Sequence, residues 1–333
     1  MGGIVADEAK PVKRITLKDV AKAADVSLAS ASYAINGTGS LGSEVRAHIL
    51  KIAADLGYRQ NLSARAVRTG RTGTLGLILP DFANPFFTAL AQAVMRRARA
   101  DRHYVVIADT EGDVRLEEQA IASLIERGVD GLVWFPVRDL DLAAPPPELP
   151  TVVMDRKAAG LSLVLADYTG GGRQAAAHLM ALGHRKVGIV SGPMSLNSMT
   201  ERCQGFRSGL SADAECVFHV ETGFSDDLEP AVCAAIDSRS VTAIFAGTDQ
   251  IALAIVRRAA RSGLRVPEDL SIIGFGDAPW VGTSAPALTT VEMPIEDMAN
   301  EAVDRLLQRD PGAPARVVFD TSLIVRESTR ALP

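Results

Sequence analysis

The sequence predicts an α/β protein, with two doubly wound parallel-sheet subdomains preceded by a small all-α helix-turn-helix domain. Three observations carry that expectation. Apolar residues recur at helical spacing up to about Leu56; from Thr74 short apolar strands alternate with helical stretches; and the alternation runs through two successive series. With 333 residues, 47% hydrophobic and 23% charged, the chain has room for two or three domains and an ordinary soluble balance.

Residues 1–14 read as a flexible lead. In TLKDVAKAADVSLASASYAING, Leu17, Val20, Ala21 and Ala24 form one helical face, Asp25 and Val26 interrupt it, and Ser27 stands as N-cap before Ala31, Ala34 and Ile35. The pattern is a helix-turn-helix, with an ordinary helical hairpin as the alternative on this stretch alone. The outer face of the second helix, Leu28, Ala29, Ser32 and Tyr33, carries no acid and suits a surface pressed against a polyanion. Ser43 is placed to cap a third helix, with Val45, Ile49, Ile52, Ala53 and Leu56 facing inward. Residues 15–59 then form one domain, 60–72 a hinge with one short helix too short to be stable alone, and 73–333 the body.

Charge divides the same way. Between Lys10 and Arg71 there are eleven Lys and Arg against four acids, a local +7, so the total of -5 leaves -12 for the remainder. A basic head on an acidic body is what a reader of nucleic acid needs, because phosphate contacts supply affinity and the body adds no unwanted attachment.

In the body, TLGLILP, HYVVIAD, GLVWFP and TVVMD are strands, alternating with helices Pro85 to about Arg99 and Glu111 to Arg127. A second series follows: VLAD, a helix Gly171 to Leu182, KVGIVSG, a helix from about Glu201, CVFHVET, a helix near Leu228 to Ile236, AIFAG, a helix Gln250 to Ser262, and LSIIGF. Ligands of open α/β sheets sit beyond the carboxyl ends of the strands, which singles out the loops Asp81–Phe87, Asp155–Lys157, Pro193–Arg202, Gly247–Asp249 and Gly276–Trp280. Strands near Val291–Pro294 and Val317–Phe319, with a helix Glu296–Leu307, are expected to return to the first subdomain. Its extent is then 73–165 plus 290–318, and that of the second 166–289 plus 319–330.

No catalytic constellation, phosphate loop or metal-ligand spacing stands out. Cys203, Cys216 and Cys233 are odd in number and lack paired spacing, so they read as buried or incidental thiols. Gly170–Gly172 opens a helix without the GxGxxG spacing of a dinucleotide site, so no cofactor is expected. His178 reads as packing and His184 as a cap or turn residue. The polar first fifteen residues and the lack of any run of eighteen apolar residues predict a cytoplasmic protein with no membrane partner.

The motifs TLKDVAKAADVS and YAING, then NLSARAVRTGRTGTLGLILPD, NPFF, HLMALGH, RCQGF, AGTDQIAL, GFGDAPW and PALTTV, in this order and spacing, resemble the LacI/GalR (lactose repressor) family of bacterial transcription regulators over nearly the whole chain. The resemblance implies a body like the type I periplasmic binding proteins and a homodimer reading a near-palindromic double-stranded DNA operator. It also implies a small sugar-like effector between the subdomains that controls operator affinity, most often as inducer of a repressor. By position it assigns base reading to Leu28, Ala29 and Tyr33 and phosphate contacts to Ser27, Ser30, Ser32 and Asn36. Ala29 can touch a thymine methyl but cannot donate to a base edge. Val67 takes the place of the family's minor-groove leucine, with Arg68 beside it able to read groove width.

For the effector, the resemblance points to Asn84, Phe86 and Phe87 in NPFF, to Asp155 and Arg156, to Ser198 and Arg202, and to Thr248, Asp249, Asp277 and Trp280. Two departures from the sugar-binding pattern stand on the C-terminal wall: Thr248 precedes Asp249 in place of Asn, and Gly276 takes the place of the first acid before Asp277. An enzyme, or a solute receptor, on the same two-lobed scaffold is the competing function; the lack of a nucleophile, base and orienting group together counts against the first, and the lack of a signal-peptide pattern with the basic head against the second.

Overall fold

The computed structural model describes residues 15–59, 70–140, 149–224, 228–308 and 313–332. The chain divides into two compact units, Met1–Thr72 and Gly73–Pro333.

The first unit holds α1 (Leu17–Ala23), α2 (Leu28–Asn36) and α3 (Ser43–Asp55). Thr16 opens α1 with a capping box: its hydroxyl accepts the Asp19 N–H, and the Asp19 carboxylate accepts the Thr16 N–H at 2.8 Å. Asp25 turns the chain at φ 51°, Ser27 Oγ caps α2 through the Ser30 N–H at 3.0 Å, and Gly37 ends α2 at φ 69°. Ser43 does not cap α3; Gly42 occupies that position and no side chain bonds there. Val20, Ala21, Ala24, Ala31, Ala34, Ile49 and Ala53 make the core. So many alanines cover only a narrow strip of α3, and Val45 and Leu56, expected inside, are 44% and 37% exposed.

The second unit contains two six-stranded sheets. The first lobe is built from β1 (Thr74–Leu79), α4 (Pro85–Ala100), β2 (Tyr104–Asp109), α5 (Val114–Glu126), β3 (Leu132–Trp134), β4 (Thr151–Met154) and β5 (Ser162–Ala166). The second runs through α6 (Tyr168–Ala181), β6 (Lys186–Ser191), α7 (Asn197–Ser208), β7 (Glu215–Glu221), α8 (Pro230–Asp237), β8 (Ala243–Ala246), α9 (Asp249–Arg261), β9 (Ser271–Gly276) and β10 (Thr289–Glu292). Then α10 (Ile295–Leu307) and β11 (Arg316–Phe319) return to the first lobe, and β12 (Ser322–Ile324) to the second. Strand orders are β11-β5-β4-β3-β1-β2 and β12-β10-β9-β8-β6-β7, parallel except for the β10–β12 pair.

The chain therefore crosses between lobes at three places: Asp167, Met293–Pro294 and Asp320–Thr321. Residues 290–292, expected in the first subdomain, pair instead with β9 from Thr290↔Gly274 to Glu292↔Gly276. An apolar strand carries no mark of which of two sheets accepts it, so the return begins only with Met293. The crossings are tied together: the Asp167 N–H donates to the Phe319 carbonyl at 2.8 Å, the Thr321 hydroxyl to the Asp167 carbonyl at 3.2 Å, and the Gln174 amide to the Thr321 carbonyl at 2.8 Å.

Two helices begin earlier than their apolar pattern. Asp167 caps α6 through the Gly170 N–H at 2.8 Å, so the helix starts at Tyr168, three residues ahead of the expected start, and α7 starts at Asn197, not near Glu201. In α6 the glycines make room: a Cβ on Gly172 would lie 2.2 Å from the Arg202 carbonyl oxygen, and one on Gly205 2.1 Å from that of Thr169. The backbones of α6 and α7 thus touch at their crossing, which fixes the height of the side chains that α7 presents to the cleft.

Candidate functional site

On the head, Leu28, Ala29 and Tyr33 are exposed along one side of α2, as the helical spacing predicts. The Tyr33 ring lies against the loop after α2, where Gly39, at φ 71°, comes so close that a Cβ would stand 2.7 Å from the ring. Arg46 ties that loop down by donating to the Gly39 carbonyl at 3.3 Å. Ser27 is the N-cap, Ser27 and Ser30 hydroxyls share a hydrogen bond of 2.9 Å, and Asn36 donates to the Ser32 carbonyl at 2.7 Å. These polar groups are thus oriented before any partner arrives. Val67 and Arg68 lie outside the described residues.

Between the lobes of the second unit is a cleft of about 780 Å³, well within the size of small-molecule sites. Every sequence-predicted effector residue except Asp277 lines it. Four of them, from the loop just after β4 and from α7, form one buried cluster. Arg156 bonds the Asp155 carboxylate and donates to Ser198 Oγ at 3.3 Å, while the Ser198 hydroxyl donates to Asp155 Oδ2 at 3.1 Å. Arg202 Nη2 stands 3.5 Å from Asp155 Oδ1, and its Nη1 donates to the Gly247 carbonyl at 2.8 Å. One carboxylate from the first lobe is thereby held by a hydroxyl and a guanidinium from the second.

Aromatic faces help these cations tolerate burial. The Arg202 guanidinium lies 4.2 Å from the Phe275 ring centre and 5.1 Å from that of Tyr168; Arg156 lies 5.1 Å from Phe135. Burial still pushes the Arg156 guanidinium down, to about 10, lowers that of Arg202, and raises the Tyr168 hydroxyl to about 12. Phe86, Phe87 and Phe135 pack edge to face, with Phe87 and Phe135 centroids 4.8 Å apart.

Asn84, Thr248 and Asp249, also in the wall, are already engaged. Asn84 caps α4 by accepting the Phe86 N–H at 3.0 Å and reaches across the cleft to Gln250 Oε1 at 3.2 Å. Thr248 caps α9 through the Ile251 N–H at 3.3 Å. Asp249 accepts the Ala278 N–H at 2.9 Å and the Thr290 hydroxyl, and burial raises its carboxyl to about 6. Asp277, expected at the effector, is not among the lining residues: it pairs with Arg326 at 2.7 Å. Arg326 is anchored in turn on the Leu288 carbonyl, so the carboxylate is held by a cation away from the cleft.

Sequence reasoning missed Phe135, Gln250, Phe275, Met293 and Phe224, all of which line the cleft. It also missed Asp139, whose carboxylate accepts the Lys157 N–H at 2.8 Å and, from across the cleft, the Asn197 N–H at 2.7 Å. Since Leu196 gives α7 no side-chain cap, an acid of the first lobe caps a helix of the second. No spacing signals such a pair.

Residues 16–61 match the family model of bacterial regulatory proteins, lacI family, and residues 176–329 that of a periplasmic binding protein-like domain. The ribose operon repressor of Haemophilus influenzae is 32% identical over 95% of this chain and 99% of its own length. This chain belongs to the lacI family. The HTH-type transcriptional regulator DegA of Bacillus subtilis is 30% identical, over 96% of this chain and 99% of DegA. The solved lac repressor dimer bound to operator and the anti-inducer ONPF superposes with a TM-score of 0.83 at 25% identity, covering 96% of this chain and all of that one. As a lacI-family member the chain is a DNA-binding transcription regulator with a helix-turn-helix domain. No helix among the described residues is long and apolar enough to cross a membrane.

Proposed function

We propose that this regulator is a cytoplasmic repressor, not an enzyme, which binds a near-palindromic operator as a homodimer and is released by a small polyhydroxylated, sugar-like effector in the interlobe cleft. The observation that carries the reading is the cluster Asp155, Arg156, Ser198 and Arg202, because it draws on both lobes at once. A ligand bonded to it changes how the lobes close, and free energy spent on closure is linked to operator affinity. Buried guanidinium and carboxylate groups that present donors and acceptors beside aromatic faces suit hydroxyl-rich rings. On the head, Leu28, Ala29 and Tyr33 read bases while Ser27, Ser30, Ser32 and Asn36 hold phosphates. Val67 and Arg68, in the segment 60–72 that joins the two units, act at the operator's centre.

A mobility-shift assay with DNA from upstream of the gene tests the DNA half of this reading. A specific shift is expected, with affinity falling on the order of a thousandfold between about 50 and 200 mM salt as counterions are released. Failure to shift either that fragment or fragments selected from the genome removes the operator assignment.

A further inference from the structure

The cleft is longer than the polar cluster on its floor. Its first-lobe wall is formed at the carboxyl ends of β4, β3, β1 and β2, by Asp155 and Arg156 at one end and Asp109 and Glu111 at the other. Its second-lobe wall runs from Met293 after β10 to Phe224 after β7. In both sheets the last-named strand is the free edge, farthest from the crossings. Neighbouring strands lie about 4.8 Å apart, so four of them span roughly 14 Å, more than a single sugar ring can fill.

The chemistry changes along that length. The inner end is a desolvated guanidinium–carboxylate cluster; the outer end pairs an aromatic face with exposed acids. Phe224 is 39% exposed, yet its ring is fixed against backbone, since a Cβ on Gly192 would lie 2.5 Å from it. A flat apolar face and acceptor carboxylates match a second hydroxyl-bearing ring. The acids disfavour an anionic ligand at that end.

We infer that the effector is a neutral saccharide of at least two linked rings, the first held by the Asp155–Arg156–Ser198–Arg202 cluster and the second by an outer subsite of Glu111 and Phe224. The inference rests on the reading of the cleft as an effector site. Isothermal titration of the full chain with disaccharides of glucose, galactose and pentoses, and with their component monosaccharides, tests it. At least one disaccharide should bind about tenfold more tightly than either of its components, and Phe224→Ala should reduce that ratio to about threefold or less. Monosaccharides binding as tightly as every disaccharide, or a ratio undiminished by Phe224→Ala, would overturn the outer subsite and leave the sugar-like effector standing. Heat from none of these saccharides would remove both.

Discussion

At the scale of single residues, the cleft concentrates ionisable groups in a dry setting, and their protonation follows from what surrounds them. Asp249 is the clearest case. Burial holds its carboxyl at about 6 in the folded chain, against an ordinary value near 3.8. The folded state therefore keeps a proton between those values that the unfolded chain releases. The stability from this group is complete below the unfolded value and is lost as pH rises through about 6. Replacing the carboxyl by an amide removes that dependence. Urea melts of the parent and Asp249→Asn should show the parent losing roughly 1 kcal/mol relative to the variant between about pH 5 and 7.5. A stability difference constant over that range would mean that Asp249 is not desolvated. The strand-end loop and the family resemblance marked Asp249 for the site, but not that Ala278 and Thr290 already occupy its oxygens.

At the scale of elements, the reach of Ser198 and Arg202 depends on how closely α6 and α7 approach. Gly172 and Gly205 face backbone atoms across that crossing, and backbone cannot move aside as a flexible side chain can. Gly172→Ala should destabilise the second unit by about 1–3 kcal/mol, read as an earlier urea midpoint. An unchanged midpoint would show that the helices are free to separate. The three glycines at 170–172 were legible as a helix opening and as no dinucleotide site. That the Gly172 Cα receives another helix depends on a partner about thirty residues away and leaves no local periodicity. The early start of α7 was hidden for a related reason, because its cap is Asp139 of the other lobe.

At the scale of the whole molecule, three crossings join lobes that share one carboxylate cluster, so ligand and lobe geometry are one equilibrium. Arg202 contributes from the second lobe to an acid of the first and is buried between Tyr168 and Phe275. In a thermal-shift screen of sugars and sugar acids, an effector should raise the melting temperature of the parent by mass action and weaken its operator shift. Arg202→Ala should lose both responses while its basal operator shift is kept. A ligand response that survives in Arg202→Ala would place the effector elsewhere.

The sequence by itself determined the order of elements, the helix-turn-helix with its exposed Leu28, Ala29 and Tyr33, the two-lobed α/β body, and ten of the residues that line its cleft. These were legible because periodicity, capping residues and strand-end loops are local properties that each segment carries alone. Only the tertiary structure decided that β10 joins the second sheet, that Val45 and Leu56 stay exposed, that Asp277 turns to Arg326, and that Asp139 caps α7. Each of these is a pairing between distant segments, settled by which partner removes a polar group or an apolar face from water at least cost.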